Sequence, residues 1–568
     1  MSLLETRLSW QKIARSGRAA ELKVAVLATF TANPLTPYLG VALEDARFPA
    51  EIMIGPYDQI VQECISDDGE TARFGPDLLI IWPRLEELWG GRPLPLTGEA
   101  ALYTKDAIEV AEASLEAARR WRATLIFILP AIPEIRAIGV GDACSQTGVF
   151  ATATVARETL RLRLAGRRGV LLLDMEEIIR HTGSAHAYNP RMLALARIPF
   201  SEEVFNLAGQ RVAQLFGLSR QAARKVVVVD SDNTLWGGVV GEDGPDGVDL
   251  GDNGPGEAYR AFQSYLLELR RAGVLLALCS KNDEADVWEV FSRPEMRLRR
   301  EDLSSWRIGW QPKSIGLREM ADEFDLGLDS FVFIDDNPAE IAEVQASLPE
   351  VACIRMPDDP VDWMSAIQST GVLDRLPPTQ EDLNRTTHYE QERVRRELQT
   401  RATSPEDYLA GLGVKVRIFT PTQSDIPRLA QLVAKTNQFN LNCKRRGQAE
   451  LAEICEDGNY WVRLVHTQDR FGDYGVVGGM IAKPDSDCVE IDTFMLSCRA
   501  LGRGVEQAMA AYLFEEAARA GYSNIVAEVI EMPRNEPARR FFAASGCEVA
   551  GVASPLTRIE WPPHVERL

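Results

Sequence analysis

Short unbroken apolar runs recur along the chain, each ending in polar residues, with longer stretches of helical character between them. Lys225 is followed by four valines, and LLALCS (Leu275 to Ser280) and FVFIDD (Phe331 to Asp336) repeat the pattern. Apolar runs of this length predict strands buried on both faces of a parallel sheet. Earlier in the chain, LKVAVLA from Leu22, LLIIW from Leu78 and TLIFIL from Thr124 carry the same signature, with helical stretches such as 107–123 between them. This alternation predicts an α/β domain over 1–200. A helical bridge, Ser201 to Arg224, leads into a second α/β unit, so that the central domain runs over 201–376. The proline-rich RLPPTQED breaks the pattern there, and Glu381 to Ala402 is dense in Arg/Glu pairs, which reads as a solvated linker helix within 377–410. From Val414 strands and helices alternate again, and 411–568 forms a third α/β domain.

The polar residues at the strand ends carry the candidate chemistry. Asp230 and Asp232 stand one residue apart at the carboxyl end of the Val226–Val229 run, where open α/β sheets bind ligands. A bare pair of this kind is as often loop punctuation. Ser280 ends the second run, Asp335 and Asp336 end the third, and Lys313 lies between those two. Together these pieces resemble the haloacid dehalogenase (HAD) phosphotransferase pattern, hydrophobic strand followed by DxDxT. The resemblance implies that Asp230 attacks phosphorus and that Asp232 is the general acid and base. It also implies a Mg2+ ion held by Asp230, by Asp232 through its carbonyl, and by Asp335 and Asp336. Ser280, Lys281, Asn282 and Lys313 are then the phosphate and substrate contacts; Thr234 joins them, with ordering of the turn as its main expected task. Cys279 has two readings: a small hydrophobe of a buried strand, or a nucleophilic thiolate. Neighbouring residues of a strand face opposite sides, so a regular strand cannot aim both Cys279 and Ser280 at one phosphate.

The flanking regions resemble two further families. The N-terminal α/β region is similar to the degenerate SGNH-hydrolase-like module found ahead of some HAD domains. Its nucleophile would fall near Thr29, Phe30 and Thr31, where no GDS triplet stands, and His181 and His186 read as structural or solvated rather than as a base. In the third domain, Arg499, Gly502 and Gly504 lie between a strand and an amphipathic helix, and Asn535 opens the last helix. Glycines at a helix N-terminus let backbone amides approach an anion. These residues resemble the loop by which GNAT acyltransferases hold coenzyme A or phosphopantetheine, and all four are candidate phosphopantetheine contacts.

DSDNTLWGGVVGEDG, LCSKND, WQPKS, FIDDNPAE, TNQFNLNCKRR and DRFGDYG, taken together, resemble the FkbH-type glyceryltransferase/phosphatases. That resemblance implies conversion of 1,3-bisphosphoglycerate into a D-glyceryl thioester on the phosphopantetheine arm of an acyl carrier protein, for polyketide assembly. Cys443 departs from the threonine expected in that motif, and is the alternative acyl site to Cys279. Lys444, Arg445, Arg446, Arg534, Arg539 and Arg540 are candidates for a basic patch that receives the carrier. Three other readings stay open: a magnesium-dependent phosphatase acting on a free metabolite, a GNAT acyltransferase whose HAD unit only binds, and a non-enzymatic scaffold.

Length and charge narrow the field. At 568 residues the chain exceeds one core, and a prior of ~150 residues per domain gives three or four. A formal charge of −21 disfavours a nucleic-acid duplex as partner. No apolar run approaches the ~20 residues of a membrane span, and MSLLETRLSW lacks the layout of a signal peptide, so a cytoplasmic protein is expected, with no membrane partner. The nine cysteines show no CxxC pairs, which predicts free thiols rather than a zinc site or a disulfide framework.

Overall fold

The structure is a computed structural model describing residues 2–568, apart from 17, 91–99, 222, 252–253, 380–381, 384, 386–388, 390, 393, 396–397, 400–401, 437, 443, 445, 486, 533–534 and 548–552. By compactness the chain divides into two units. One is Met1–Arg224 with Leu326–Val332 and Val344–Pro377; the other is Lys225–Asp325 with Phe333–Glu343 and Pro378–Leu568.

The N-terminal sheet has five strands, β1 (Leu22–Ala28), β2 (Ala50–Ile54), β3 (Leu78–Trp82), β4 (Thr124–Leu129) and β5 (Val170–Asp174). Their order is β2-β1-β3-β4-β5, parallel throughout. The apolar runs are continuous because each strand feeds two cores. Val24, Val26, Leu78 and Ile80 face one, and Ala25, Leu27, Leu79 and Ile81 the other. The helix Glu202–Arg220, expected as a bridge toward the next domain, buries Val204, Phe205, Val212 and Phe216 in the first of these cores. Its Gly209 permits contact with the 38–39 backbone, since a Cβ there would lie 2.7 Å from the Leu39 nitrogen.

The central sheet comprises β6 (Val226–Val229), β7 (Leu275–Ser280), β8 (Ser305–Ile308), β9 (Phe331–Asp335) and β10 (Ala352–Arg355), in the order β10-β9-β6-β7-β8. The strand order reverses between β6 and β9, which opens a crevice at their carboxyl ends.

The third sheet is mixed. Its strands are β11 (Val414–Phe419), β12 (Phe439–Asn440), β13 (Trp461–Asp469), β14 (Gly472–Pro484), β15 (Val489–Leu496), β16 (Ile525–Ala527), β17 (Ser554–Pro555) and β18 (Val565–Arg567). β11, β13, β14 and β15 are antiparallel neighbours, while β16 and β18 join in parallel. The charge-dense stretch ahead of it is not simply solvated. Arg395 is buried, donates to both carboxylate oxygens of Asp469 at 2.7 and 3.0 Å, and lies over the Tyr474 ring. No helix among the described residues is long and apolar enough to cross a membrane. Among the described residues, seven cysteines, Cys279 included, are free thiols.

Candidate active site

The central crevice gathers the predicted residues from four elements. β6 delivers Asp230, whose amide donates to the Ile334 carbonyl at 3.1 Å, fixing the ends of β6 and β9 side by side. β9 delivers Asp335, fully buried, and Asp336 follows. Lys313, at the start of the helix Lys313–Phe324, reaches between the strands: its Nζ is 2.9 Å from Asp230 Oδ1 and 2.6 Å from Asp335 Oδ2. Burial works against the Lys313 charge, but the two carboxylates outweigh it and raise its pKa. Lys313 is therefore a fixed cation.

Asp232 is held differently. Its Oδ1 accepts from Trp236 Nε1 at 2.9 Å and from the Val240 amide at 3.1 Å, and its Oδ2 accepts from Asn282 Nδ2 at 3.0 Å. Burial raises its pKa, those donors oppose the rise, and the Asp230 charge adds to it. Two carboxylates with one residue between them thus meet different surroundings, the arrangement that separates an acid from a nucleophile. Trp236 does more than pack, because its ring N–H orients Asp232. Asn282 is the hub of a small network, donating also to Ser231 Oγ (3.1 Å) and Ser280 Oγ (3.0 Å). Ser231 escapes a sequence reading that weighs only the two aspartates beside it. Glu343 escapes it too, and accepts from both the amide and the hydroxyl of Ser314, clamping the helix that carries Lys313.

A cavity of about 190 Å3 lies between these groups, lined among others by Asp230, Asp232, Ser280, Lys281, Asn282 and Lys313. Lys281 sits at its edge, paired with Glu340 at 2.6 Å. Thr234 is buried and does not line it. The Thr234 amide donates to the Ser231 carbonyl and its hydroxyl makes a long 3.5 Å bond to Asp336, so this residue orders the turn. Cys279 does not line it either. Its thiol lies against the Lys313 carbonyl at 3.8 Å, and burial pushes it up to about 12, with Lys313 opposing the rise.

The carboxylates of Asp230, Asp335 and Asp336 offer oxygens within 4.8 Å of one another. Burial, then the Asp230 charge, push Asp336 up to about 6 and also raise Asp335. One lysine does not balance this cluster, and hard oxygen donors at such spacing fit Mg2+. The Asp232 carboxylate stands outside the group, occupied by Trp236, Val240 and Asn282.

The predicted phosphopantetheine contacts are brought together only in part. Gly502 and Gly504 take the left-handed φ values of 73° and 84° that favour glycine, and Gly504 begins the helix Val505–Arg519. The Gly502 amide is engaged from within the chain: it donates to Glu506 Oε1 at 3.1 Å. Glu506 is buried, which raises its pKa. Asn535 is fully buried with its side chain spent on the Asn440 and Ile530 carbonyls and the Met532 amide. Arg499 is exposed. Of the candidate basic patch, Lys444 and Arg446 both pair with Asp492, Arg539 with Glu531 and Arg540 with Glu536. Cys443, Arg445 and Arg534 lie outside the described residues.

No family model matches the chain, and no curated protein sequence does. Among solved structures, the N-terminal part of the protein BF1531 from Bacteroides fragilis, containing a phosphatase domain complexed with Mg, aligns over 66% of this chain and 99% of its own. The identity is 23% and the TM-score 0.58. The ribosomal-protein-S18-alanine N-acetyltransferase of Escherichia coli aligns over 25% of this chain and 94% of its own, at 13% identity and a TM-score of 0.20. A tandem GNAT protein from the clavulanic acid biosynthesis pathway aligns over 23% of this chain and 42% of its own, at 15% identity and a TM-score of 0.19. Two-thirds of this chain therefore share the fold of a structure that contains a magnesium-bound phosphatase domain.

Proposed function

We propose that the chain is a magnesium-dependent phosphatase and glyceryltransferase, which takes 1,3-bisphosphoglycerate and delivers a D-glyceryl unit to the phosphopantetheine thiol of an acyl carrier protein. The observation that carries the phosphatase part is the buried Asp230–Lys313–Asp335 cluster with Asp232 beside it in separate surroundings. The Asp230 carboxylate attacks phosphorus, and the phosphoryl group passes to it while Asp232 protonates the departing oxygen. Asp232, now ionised, takes a proton from the water that frees the phosphate. Lys313 keeps Asp230 aimed, and the Asn282 network holds Asp232 and Ser280 at the cavity wall. Bound Mg2+, with Asp230, the Asp232 carbonyl, Asp335 and Asp336 as its protein ligands, would offset the mutual repulsion of carboxylates and phosphate. The glyceryl part rests on the motif resemblance and on chemistry. An acyl phosphate is already activated, so a thiol displaces its phosphate directly, and Cys279 is the acyl acceptor in this reading. The N-terminal sheet is read as a non-catalytic SGNH-like module and the C-terminal sheet as a GNAT-like one.

A second reading, a phosphatase acting on a free metabolite, is favoured by one observation: the Gly502 amide of the C-terminal loop is engaged by Glu506. Incubation of the protein with a carrier protein, Mg2+ and 1,3-bisphosphoglycerate, followed by intact-protein mass spectrometry, separates the two. A glyceryl adduct on the carrier supports the first. Phosphate release with an unmodified carrier supports the second.

A further inference from the structure

A second cleft, of about 360 Å3, adjoins the phosphate cavity. Ser280 and Lys313 line both, but Asp230 lines only the smaller and Cys279 only the larger. Alternation along β7 accounts for the division, since successive side chains point to opposite faces of a strand. One wall of the larger cleft is the helix Lys313–Phe324, and Gly316 lies within it. A glycine inside a helix is less favourable than alanine, and no turn is needed at this position. What glycine provides here is space. A Cβ on Gly316 would stand 3.0 Å from Cys279 Sγ and 3.2 Å from the Arg307 side chain. At the outer end, Trp310 is 73% exposed in the turn that leads into the helix, an aromatic surface with no core to serve. Trp306 is half-buried between the two ends, and Glu319 adds polarity to the wall.

We propose that this cleft is a second substrate subsite, taking a slender thiol-ended chain of alternating methylene and amide groups end-on toward the Cys279 sulfur, with Gly316 keeping the inner end open and Trp310 forming the mouth. The proposal rests on the acyl-transfer reading and adds the route of the arm: past Trp310, on the face of β7 opposite the phosphate. The volume lies within the range of small-ligand pockets, and the mixed aromatic and charged lining suits such a chain. In the step this subsite serves, the incoming sulfur bonds to the acyl carbon as the bond from that carbon to Cys279 Sγ breaks. The proton lost by the incoming thiol passes to Cys279.

The test uses the full-length protein and the mixed disulfide of pantetheine with 2-thiopyridine, with methyl methanethiosulfonate as a small reagent of the same chemistry. Labelling forms a disulfide between Cys279 and pantetheine, and the thiopyridine leaves with the thiol proton. Peptide mass spectrometry locates the label, and its rate is followed against reagent concentration. The expected result is a Cys279 rate that saturates for the pantetheine reagent. Trp310→Ala should slow it at least tenfold while changing the methyl reagent's rate less than twofold. Gly316→Ala, which favours the helix, should also slow the pantetheine reaction. A rate linear in pantetheine reagent, or one unchanged by Trp310→Ala, overturns the subsite. Glyceryl loading from 1,3-bisphosphoglycerate is measured in parallel. Saturable labelling without loading keeps the subsite and sinks the acyl-transfer reading, whereas loading with non-saturable labelling sinks the subsite alone.

Discussion

The two parallel sheets solve the same topological problem and end with opposite contents. Each reverses its strand order once, between β1 and β3 in the first and between β6 and β9 in the second, and each therefore offers a crevice at the carboxyl ends of those strands. In the N-terminal crevice the space is taken by rings. Phe30, two residues past the end of β1, meets Trp82 at 5.2 Å and Phe200 at 5.3 Å, and Phe205 closes on Trp82 at 5.7 Å. The Thr29 hydroxyl, where a nucleophile would stand, accepts from the Arg84 amide at 2.9 Å, while His181 and His186 are exposed. In the central crevice the equivalent positions carry Asp230 and Asp335 around a fixed lysine, and a cavity remains. Topology supplies the place; the side chains after the strand decide whether it is core or site.

The largest expected effect tests that contrast directly. Asp230→Asn keeps the shape of the side chain and removes the carboxylate proposed to attack phosphorus, so phosphate release from a phosphomonoester should fall by on the order of 10^4 or more, the scale seen on loss of a catalytic nucleophile, with an unchanged circular dichroism spectrum. Thr29→Val, at the matching position of the other sheet, should leave turnover within about twofold. A large loss from Thr29→Val would break the comparison. Next in size is Phe30→Ala, which empties part of the aromatic cluster; truncating a buried phenylalanine costs about 3–5 kcal/mol. Thermal denaturation should show that loss, while phosphatase activity measured well below the transition stays near wild type.

Much of this contrast was legible in the sequence. Continuous apolar runs marked β1, β3, β4, β6, β7 and β9, because strands buried on two faces need no polar alternation, whereas the edge and shorter strands β2, β5, β8 and β10 escaped. The polar residues at the ends of β6, β7 and β9 are brought together in the central crevice. After β1 no GDS triplet stands, and the structure fills that position with the Phe30 ring. What could not be read was long-range pairing. Nothing local tells that Trp236 donates to Asp232, that Glu343 clamps Ser314, or that Arg395 leaves a charge-rich helix for Asp469. The glycines of the C-terminal loop read as an approach for an anion to a helix N-terminus, but Glu506 looked like any polar residue of a helix's first turn, and its carboxylate takes the Gly502 amide. The alternation of Cys279 and Ser280 was foreseen as a constraint; the second cleft that resolves it was not.

A smaller effect sharpens the central side of the comparison. Trp236→Phe removes one of the three donors to Asp232, a hydrogen bond to a charged group worth about 1.5–3 kcal/mol. The maximal rate of phosphate release should fall roughly tenfold or more with little change in substrate affinity, because the lost contact orients the acid rather than the substrate. An unchanged rate would mean that Val240 and Asn282 suffice to hold Asp232.

The smallest effect belongs to the N-terminal crevice and appears only as a pH dependence. Glu87, paired with Arg84 just after β3, has its carboxyl pushed up from 4.5 to about 7, chiefly by burial, with Arg84 opposing the rise. The folded chain therefore binds this proton more tightly than the unfolded chain does. The stability it contributes is complete below about pH 4.5 and is lost as pH rises through about 7. Glu87→Gln mimics the protonated form at every pH and keeps an oxygen that can accept from Arg84. Its melting temperature should match wild type near pH 4.5 and exceed it by several degrees near pH 8. Phosphatase activity should not follow this difference, because Glu87 does not line the cavity around Asp230. A Glu87→Gln variant whose pH–rate profile moved, while its melting temperature tracked wild type at both pH values, would place a working carboxylate in the N-terminal sheet and end the distinction between the two crevices.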